Sequence, residues 1–158
     1  PSLDDLILLC QKLNEDNVKY VVLGGFAVNY HGLNRGTTDI DILVDTSEKN
    51  ITRIKKAMSY LPIKAIEDVA PGDVEKYNVV RVADEIVIDL MAKACEVTYK
   101  TAGIEYYEFK GVNIPIVTLS TLIKTKEHSL RTQDKEDLIF LRLVESENMK
   151  DKQKGKEL

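Results

Sequence analysis

The 158-residue chain has little that would tie it to a membrane, to secretion or to a polyanionic surface. No apolar run approaches the ~20 residues that a membrane span requires. The opening PSLDDL lacks the basic and apolar regions of a signal peptide. Cysteine is scarce: Cys10 and Cys95 each lie in an apolar neighbourhood, with no metal-ligand spacing between them. Buried, reduced thiols and a cytoplasmic setting are therefore expected. Basic residues are outnumbered, 22 Lys and Arg against 26 Asp and Glu, for a formal net charge of −4. That balance argues against a broad grip on nucleic acid, and leaves room for a small substrate or a locally basic groove. Internal repeats and domain linkers are also missing.

What is present is the composition of one globular domain, 44% hydrophobic and 30% charged, in a chain long enough for one proper core. The chain is organised around Tyr20 to Asp45, YVVLGGFAVNYHGLNRGTTDIDILVD. An apolar strand ends abruptly in Gly24-Gly25, a short helix over Phe26–His31 closes at Gly32, and a second strand from Thr37 or Thr38 carries Asp39 and Asp41. Carboxylates two residues apart in a strand share a face. Like charges that close repel unless a proton or cation lies between them. The pattern thus points to a metal-dependent phosphoryl-transfer site. It is not a Walker loop, because no Gly-Lys-Ser/Thr follows the glycines.

Around this stretch, Leu3, Leu6, Ile7, Cys10 and Leu13 recur at helical spacing, with Asp4-Asp5 at the start. Ser47 and Asn50 open a helix whose stripe is Ile51, Ile54, Ala57, Met58 and Leu61, and which Pro62 ends. Pro71-Gly72-Asp73 reads as a turn. Residues 79–82 and 85–90 form a hairpin about Ala83-Asp84, and residues 92–101 are ambiguous, leaning to helix. Another hairpin turns at Gly111, a helix runs from Thr118 to about Arg131, and Asp134 caps a last helix. The polar residues from Glu147 are expected to fray. The sum is one α+β domain over 1–146, a mixed sheet packed against helices with helices at the C-terminal end, followed by a polar tail over 147–158.

Read in order, Gly24-Gly25, Asp39-Ile40-Asp41 and Asp89 resemble the signature of the nucleotidyltransferase superfamily that includes DNA polymerase beta. The run Gly24, Gly25, Ala27, His31, Gly32, Arg35, Thr37-Thr38, Asp39, Asp41 resembles its minimal bacterial and archaeal branch. Lys126, Arg131, Asp134 and Asp137 match a pattern of that branch's closing helices. One position departs from many active members: Gly25 stands where they carry serine.

The resemblance implies an enzyme that moves a nucleoside monophosphate from a nucleoside triphosphate to a hydroxyl acceptor. Asp39, Asp41 and Asp89 would hold two Mg²⁺ ions, with Mn²⁺ able to substitute. Gly24, Gly25, Arg35, Thr38, Lys126 and Arg131 would bind the nucleotide. The acceptor is left open among a small molecule, a protein and an RNA end. A homodimer or a toxin–antitoxin partner protein is a further expectation, since the chain is short for a dedicated large-substrate domain. The contrasting expectation is a catalytically silent nucleotide-binding or antitoxin-like protein. Taken singly, His31 reads as a structural helix-end residue, Arg35 as either a phosphate ligand or a loop brace, and Asp134 and Asp137 as caps and ion-pair partners.

Overall fold

A computed structural model describes residues 1–157. The first helix, α1 (Leu3–Glu15), starts at a capping box. Ser2 Oγ accepts the Asp5 N–H at 3.1 Å, and the Asp5 carboxylate accepts the Ser2 N–H at 2.7 Å. Its Leu6, Leu9, Cys10 and Leu13 are buried. Strand β1 (Tyr20–Leu23) is buried along its whole length and leads directly into helix α2 (Gly24–Tyr30). Strand β2 (Ile40–Val44) follows, then helix α3 (Glu48–Ala57), capped by Ser47, whose hydroxyl accepts the Asn50 N–H. The helix gives way to a 3₁₀ turn at Met58–Tyr60, four residues ahead of Pro62, so the stripe's Met58 and Leu61 are buried from that turn rather than from an α-helix.

The expected turn at Pro71 flows into a short helix, α4 (Asp73–Tyr77). Strands β3 (Val79–Ala83) and β4 (Val87–Met91) then form the anticipated hairpin. Residues 92–101 correct the lean toward helix. They make a small hairpin of β5 (Lys93–Ala94) and β6 (Val97–Thr98), in which Ala94 and Val97 are buried and Cys95 takes φ +52°. A turn that puts two apolar side chains inward and Glu96 outward wins over weak helix propensity.

Strands β7 (Ile104–Phe109) and β8 (Val112–Val117) pair across Lys110-Gly111, where both residues have positive φ, as a tight right-twisted hairpin requires. Helix α5 (Leu119–Lys124), capped by Thr118, ends well short of Arg131, and α6 (Thr132–Glu157) completes the chain. Because α6 begins at Thr132, Asp134 lies in its first turn instead of capping it. The helix passes through Glu147 without a break; of the expected tail, Leu158 lies outside the described residues.

The main sheet has the order β3-β4-β2-β1-β8-β7. It is mixed: β1/β2, β3/β4 and β7/β8 run antiparallel, while β2/β4 and β1/β8 run parallel. Helix α1 packs on β8 and α3, and α2 lies against β1, β2 and α5. Cys10 is buried, and burial pushes its thiol up to about 12, so it is an inert core residue. Among the described residues, no helix is long and apolar enough to cross a membrane.

Candidate functional site

Strand register assembles the site. Antiparallel pairing sets Leu23 opposite Asp41, parallel pairing sets Asp41 beside Asp89, and antiparallel pairing sets Asp89 opposite Arg81. Asp39 stands immediately before β2, two residues from Asp41 and therefore toward the same side of the sheet. Carboxylate oxygens of Asp39, Asp41 and Asp89 all lie within 4.8 Å of one another. Asp89 thus shares one small volume with two aspartates that lie nearly fifty residues earlier in the chain.

Their electrostatics differ. Burial raises the Asp41 carboxyl to about 7, and the neighbouring charges of Asp39 and Asp89 add to the rise. Asp39 is also raised, by burial and by Asp89, against the pull of Arg81. Burial would raise Asp89 too, but the hydrogen bonds and charge of Arg81 outweigh it and hold this carboxyl below its usual range. Arg81 donates from Nε to Asp89 Oδ1 at 2.9 Å, and from Nη2 to Asp89 Oδ2 at 2.9 Å and Asp39 Oδ2 at 2.7 Å.

Arg81 is the residue that sequence reasoning missed. A two-residue connection at Ala83-Asp84 would pair Arg81 with Ile86; the real loop is longer, Ala83 pairs with Val87, and Arg81 meets Asp89. The Asp84 carboxylate fixes that loop by accepting the N–H groups of Ile63 at 3.0 Å and Ala65 at 3.1 Å. A basic residue one hairpin away from the third aspartate was the available signal, but its register depends on this distant contact.

The glycines have a steric reason. Gly24 has φ +67°, and a Cβ there would lie 2.0 Å from Asp41 Oδ2. A Cβ at Gly25 would lie 2.6 Å from Thr37 Cβ and Oγ1, so a serine in this position collides with Thr37 unless that loop moves. The serine that the resemblance would lead one to expect at this position is absent where Thr37 stands beside it, and the Thr37 hydroxyl donates to the Asp39 carbonyl at 2.9 Å. Gly24→Ala is expected to destabilise the protein by about 1–3 kcal/mol, from the left-handed backbone and the clash together. Urea denaturation checks this, and a loss below about 0.5 kcal/mol would show that the strand end yields freely.

The cations form a second group. Arg35 grips Asp137 with a fork, Nε to Oδ1 at 2.9 Å and Nη2 to Oδ2 at 2.8 Å. Lys126, 5% exposed, places Nζ 2.9 Å from Asp134 Oδ1 and 3.1 Å from Asp137 Oδ2. Gln133 and Ser129 complete the set, on Asp137 and Asp134 respectively. Burial would raise Asp134 and Asp137, but these hydrogen bonds and charges hold both carboxyls low. Of the cap and ion-pair roles expected for the two aspartates, the ion pairs are what the structure contains. Arg131 is exposed at the mouth of the cleft, and Thr38 is exposed on the loop before β2. His31 Nε2 lies 2.9 Å from the Val117 carbonyl, a structural hydrogen bond as anticipated.

A cleft of about 310 Å³ joins the two groups. Gly24, Gly25, Arg35, Thr38, Asp39, Asp41, Lys126 and Arg131 all line it, and Asp89 adjoins through the aspartate cluster. A larger groove, of about 470 Å³, lies elsewhere and is lined mainly by apolar side chains such as Leu3, Phe26, Tyr107 and Phe109. Volume favours that groove; convergent titratable groups favour the smaller cleft and make it the candidate site. All-oxygen donors in a cluster whose carboxyls repel and partly retain protons fit a hard divalent cation such as Mg²⁺ or Mn²⁺.

This sheet and these helices define a nucleotidyltransferase-type fold. No protein-family model matches the chain, and no curated protein matches it by sequence. Solved structures do match. One is an antigenic nucleotidyltransferase-like protein from Paracoccidioides brasiliensis, with a TM-score of 0.53 and 14% identity, over 85% of this chain and 72% of that one. Another is a candidate nucleotidyltransferase from Thermotoga maritima, with a TM-score of 0.52 and 16% identity, over 98% of this chain and 92% of that one. At such identities the likeness is one of fold.

Proposed function

We propose that this protein is a metal-dependent nucleotidyltransferase, moving a nucleoside monophosphate from a nucleoside triphosphate to a hydroxyl acceptor with release of pyrophosphate. The observation that carries this is the meeting of Asp39, Asp41 and Asp89 within 4.8 Å, beside a strand that ends in two sterically required glycines. Asp39, Asp41 and Asp89 would hold divalent ions, Mg²⁺ or Mn²⁺, which when bound neutralise phosphate charge and act as Lewis acids. The backbone of Gly24 and Gly25 can approach phosphates closely, and helix α2 has no side-chain cap to occupy its first N–H groups. Exposed Arg131 and Thr38 stand ready for the outer phosphates, while Arg35 and Lys126 frame the cleft through Asp137.

In the transfer, the acceptor oxygen forms a bond to the α-phosphorus as the bond to the β-phosphate bridging oxygen breaks. The electron pair leaves with pyrophosphate. Asp89 is the carboxylate suited to take the acceptor's proton. The acceptor is to be sought among small-molecule, protein and RNA hydroxyls, with a partner chain completing its side of the cleft.

The test incubates the protein with Mg²⁺ or Mn²⁺ and each α-labelled triphosphate, with cell lysate as the source of acceptors. Label is expected to move to an acceptor, and to stop moving on chelation or in Asp39→Ala. Transfer that survives Asp39→Ala and Asp41→Ala would overturn the mechanism. Nucleotide binding without transfer to any acceptor would make the chain a binding component that acts through a partner protein.

A further inference from the structure

We propose that Arg81 is an internal counter-ion that holds Asp39 and Asp89 together in the metal-free protein and is exchanged for the metal on loading. This rests on the metal-binding role of the three aspartates. Its basis is one nitrogen: Arg81 Nη2 touches Oδ2 of Asp89 at 2.9 Å and Oδ2 of Asp39 at 2.7 Å. A cation joining those two carboxylates would take the same place, since a hard ion needs the same oxygens. A guanidinium and a divalent ion cannot both occupy it, because like charges at contact repel strongly where water is partly excluded.

Three further observations make Arg81 an exchangeable occupant rather than part of the core. Its side chain is 60% exposed, whereas that of Asp89 is 10% exposed. It projects from β3, at the edge of the sheet, so it can swing toward solvent without unpacking a neighbour. The buried cation near the cluster, Lys126, is committed to Asp134 and Asp137. Arg81 is thus the one cation bonded to the three-aspartate cluster, on Asp39 and Asp89, with Arg131 exposed at the cleft mouth; the carboxylates outnumber it, which leaves a net attraction for a divalent ion.

The fork also explains how acids from two strands stay aligned before the metal arrives. Nε and Nη2 fix both oxygens of Asp89, and Nη2 reaches across to Asp39. Arg81 is a positioning residue in this scheme, and its removal trades order in the empty site for easier access.

The experiment is a Mn²⁺ titration of the full chain without nucleotide, with free ion read by electron paramagnetic resonance. Wild type, Arg81→Gln, Arg81→Lys and Asp41→Asn are compared. Arg81→Gln is expected to bind Mn²⁺ at least about tenfold more tightly than wild type, as loss of a charged competitor worth one decade requires. Arg81→Lys, which keeps the charge and loses the fork, should fall between them, and it carries the test alone if the glutamine variant fails to fold. Equal or weaker binding in the Arg81 variants, with binding lost in Asp41→Asn, would overturn the exchange and leave the metal site standing. Absence of Mn²⁺ binding in every variant would overturn both.

Discussion

Asp41→Asn is expected to abolish nucleotidyl transfer and, at pH 8 without metal, to make the protein more stable. Both effects have one cause. Asp41 is largely buried beside two other carboxylates, which raises its carboxyl from 3.8 to about 7. Between those values the folded chain holds a proton that the unfolded chain has released. Stability of the metal-free protein therefore falls as pH rises through this window, and the full penalty is present above about pH 7. Below the unfolded value it vanishes. A neutral asparagine removes the penalty, a gain of roughly 2–4 kcal/mol at pH 8 that shrinks toward pH 4.

Urea denaturation of both proteins in chelator, at pH 5 and pH 8, reads this directly. A gain of the same size at both pH values would show that Asp41 titrates as an ordinary carboxyl. Adding Mg²⁺ should stabilise wild type but not the variant, because the ion replaces the proton as the charge that Asp41 needs. Transfer should fall by about 10³-fold or more, the scale of losing an ion that supplies several kcal/mol of charge stabilisation. A site that destabilises the empty fold and is relieved by its ligand is a functional site by physical criteria.

The second large effect is on stability. Asp137→Ala is expected to destabilise the protein by about 3–5 kcal/mol, the range for breaking a buried charge pair from one side. Asp137 is 0% exposed and receives Arg35, Lys126 and Gln133. Without it, Arg35 loses its fork and Lys126, itself buried, keeps Asp134 alone. Since Asp137 is held low in the folded state, the stability it contributes is present above the ordinary carboxylate range and is lost as pH falls through the folded value. Replacing Arg35 as well, in Arg35→Met with Asp137→Leu, should restore part of the loss by removing the stranded charge. A loss below about 1 kcal/mol in Asp137→Ala would mean that water reaches the pair. The functional consequence follows from position: this network ties α6 to the loop carrying Thr37 and Thr38, so nucleotide affinity should fall with it.

Much of this was legible in the chain, because local chemistry specified it. Short continuous apolar runs marked β1, β2 and β8, the stripe on α3 marked its inner face, and the positive-φ pair at Lys110-Gly111 is a turn that a glycine announces. Residues 92–101 were not legible. Their short strands are chosen by the burial of Ala94 and Val97 against the rest of the fold, and no local propensity carries that information. The end of α5 at Lys124 is similar: Lys126 leaves the helical path to meet Asp134 and Asp137, two side chains on the next helix.

By itself the sequence determined that Asp39 and Asp41 share a face, since a strand alternates every residue, and that the preceding strand ends in Gly24-Gly25; that only glycine fits there came from the structure. It also supplied Asp89 as the third carboxylate, through resemblance. Tertiary structure alone decided that Asp89 comes to rest beside Asp41, because that placement is set by the parallel register of β2 and β4, strands separated by two α-helices, two 3₁₀ turns and a third strand. It decided too that Arg81 enters the cluster, because the Asp84 contacts with Ile63 and Ala65 fix the hairpin loop that brings Arg81 opposite Asp89. Facing direction is a property of one strand; a register between strands is a property of the whole core.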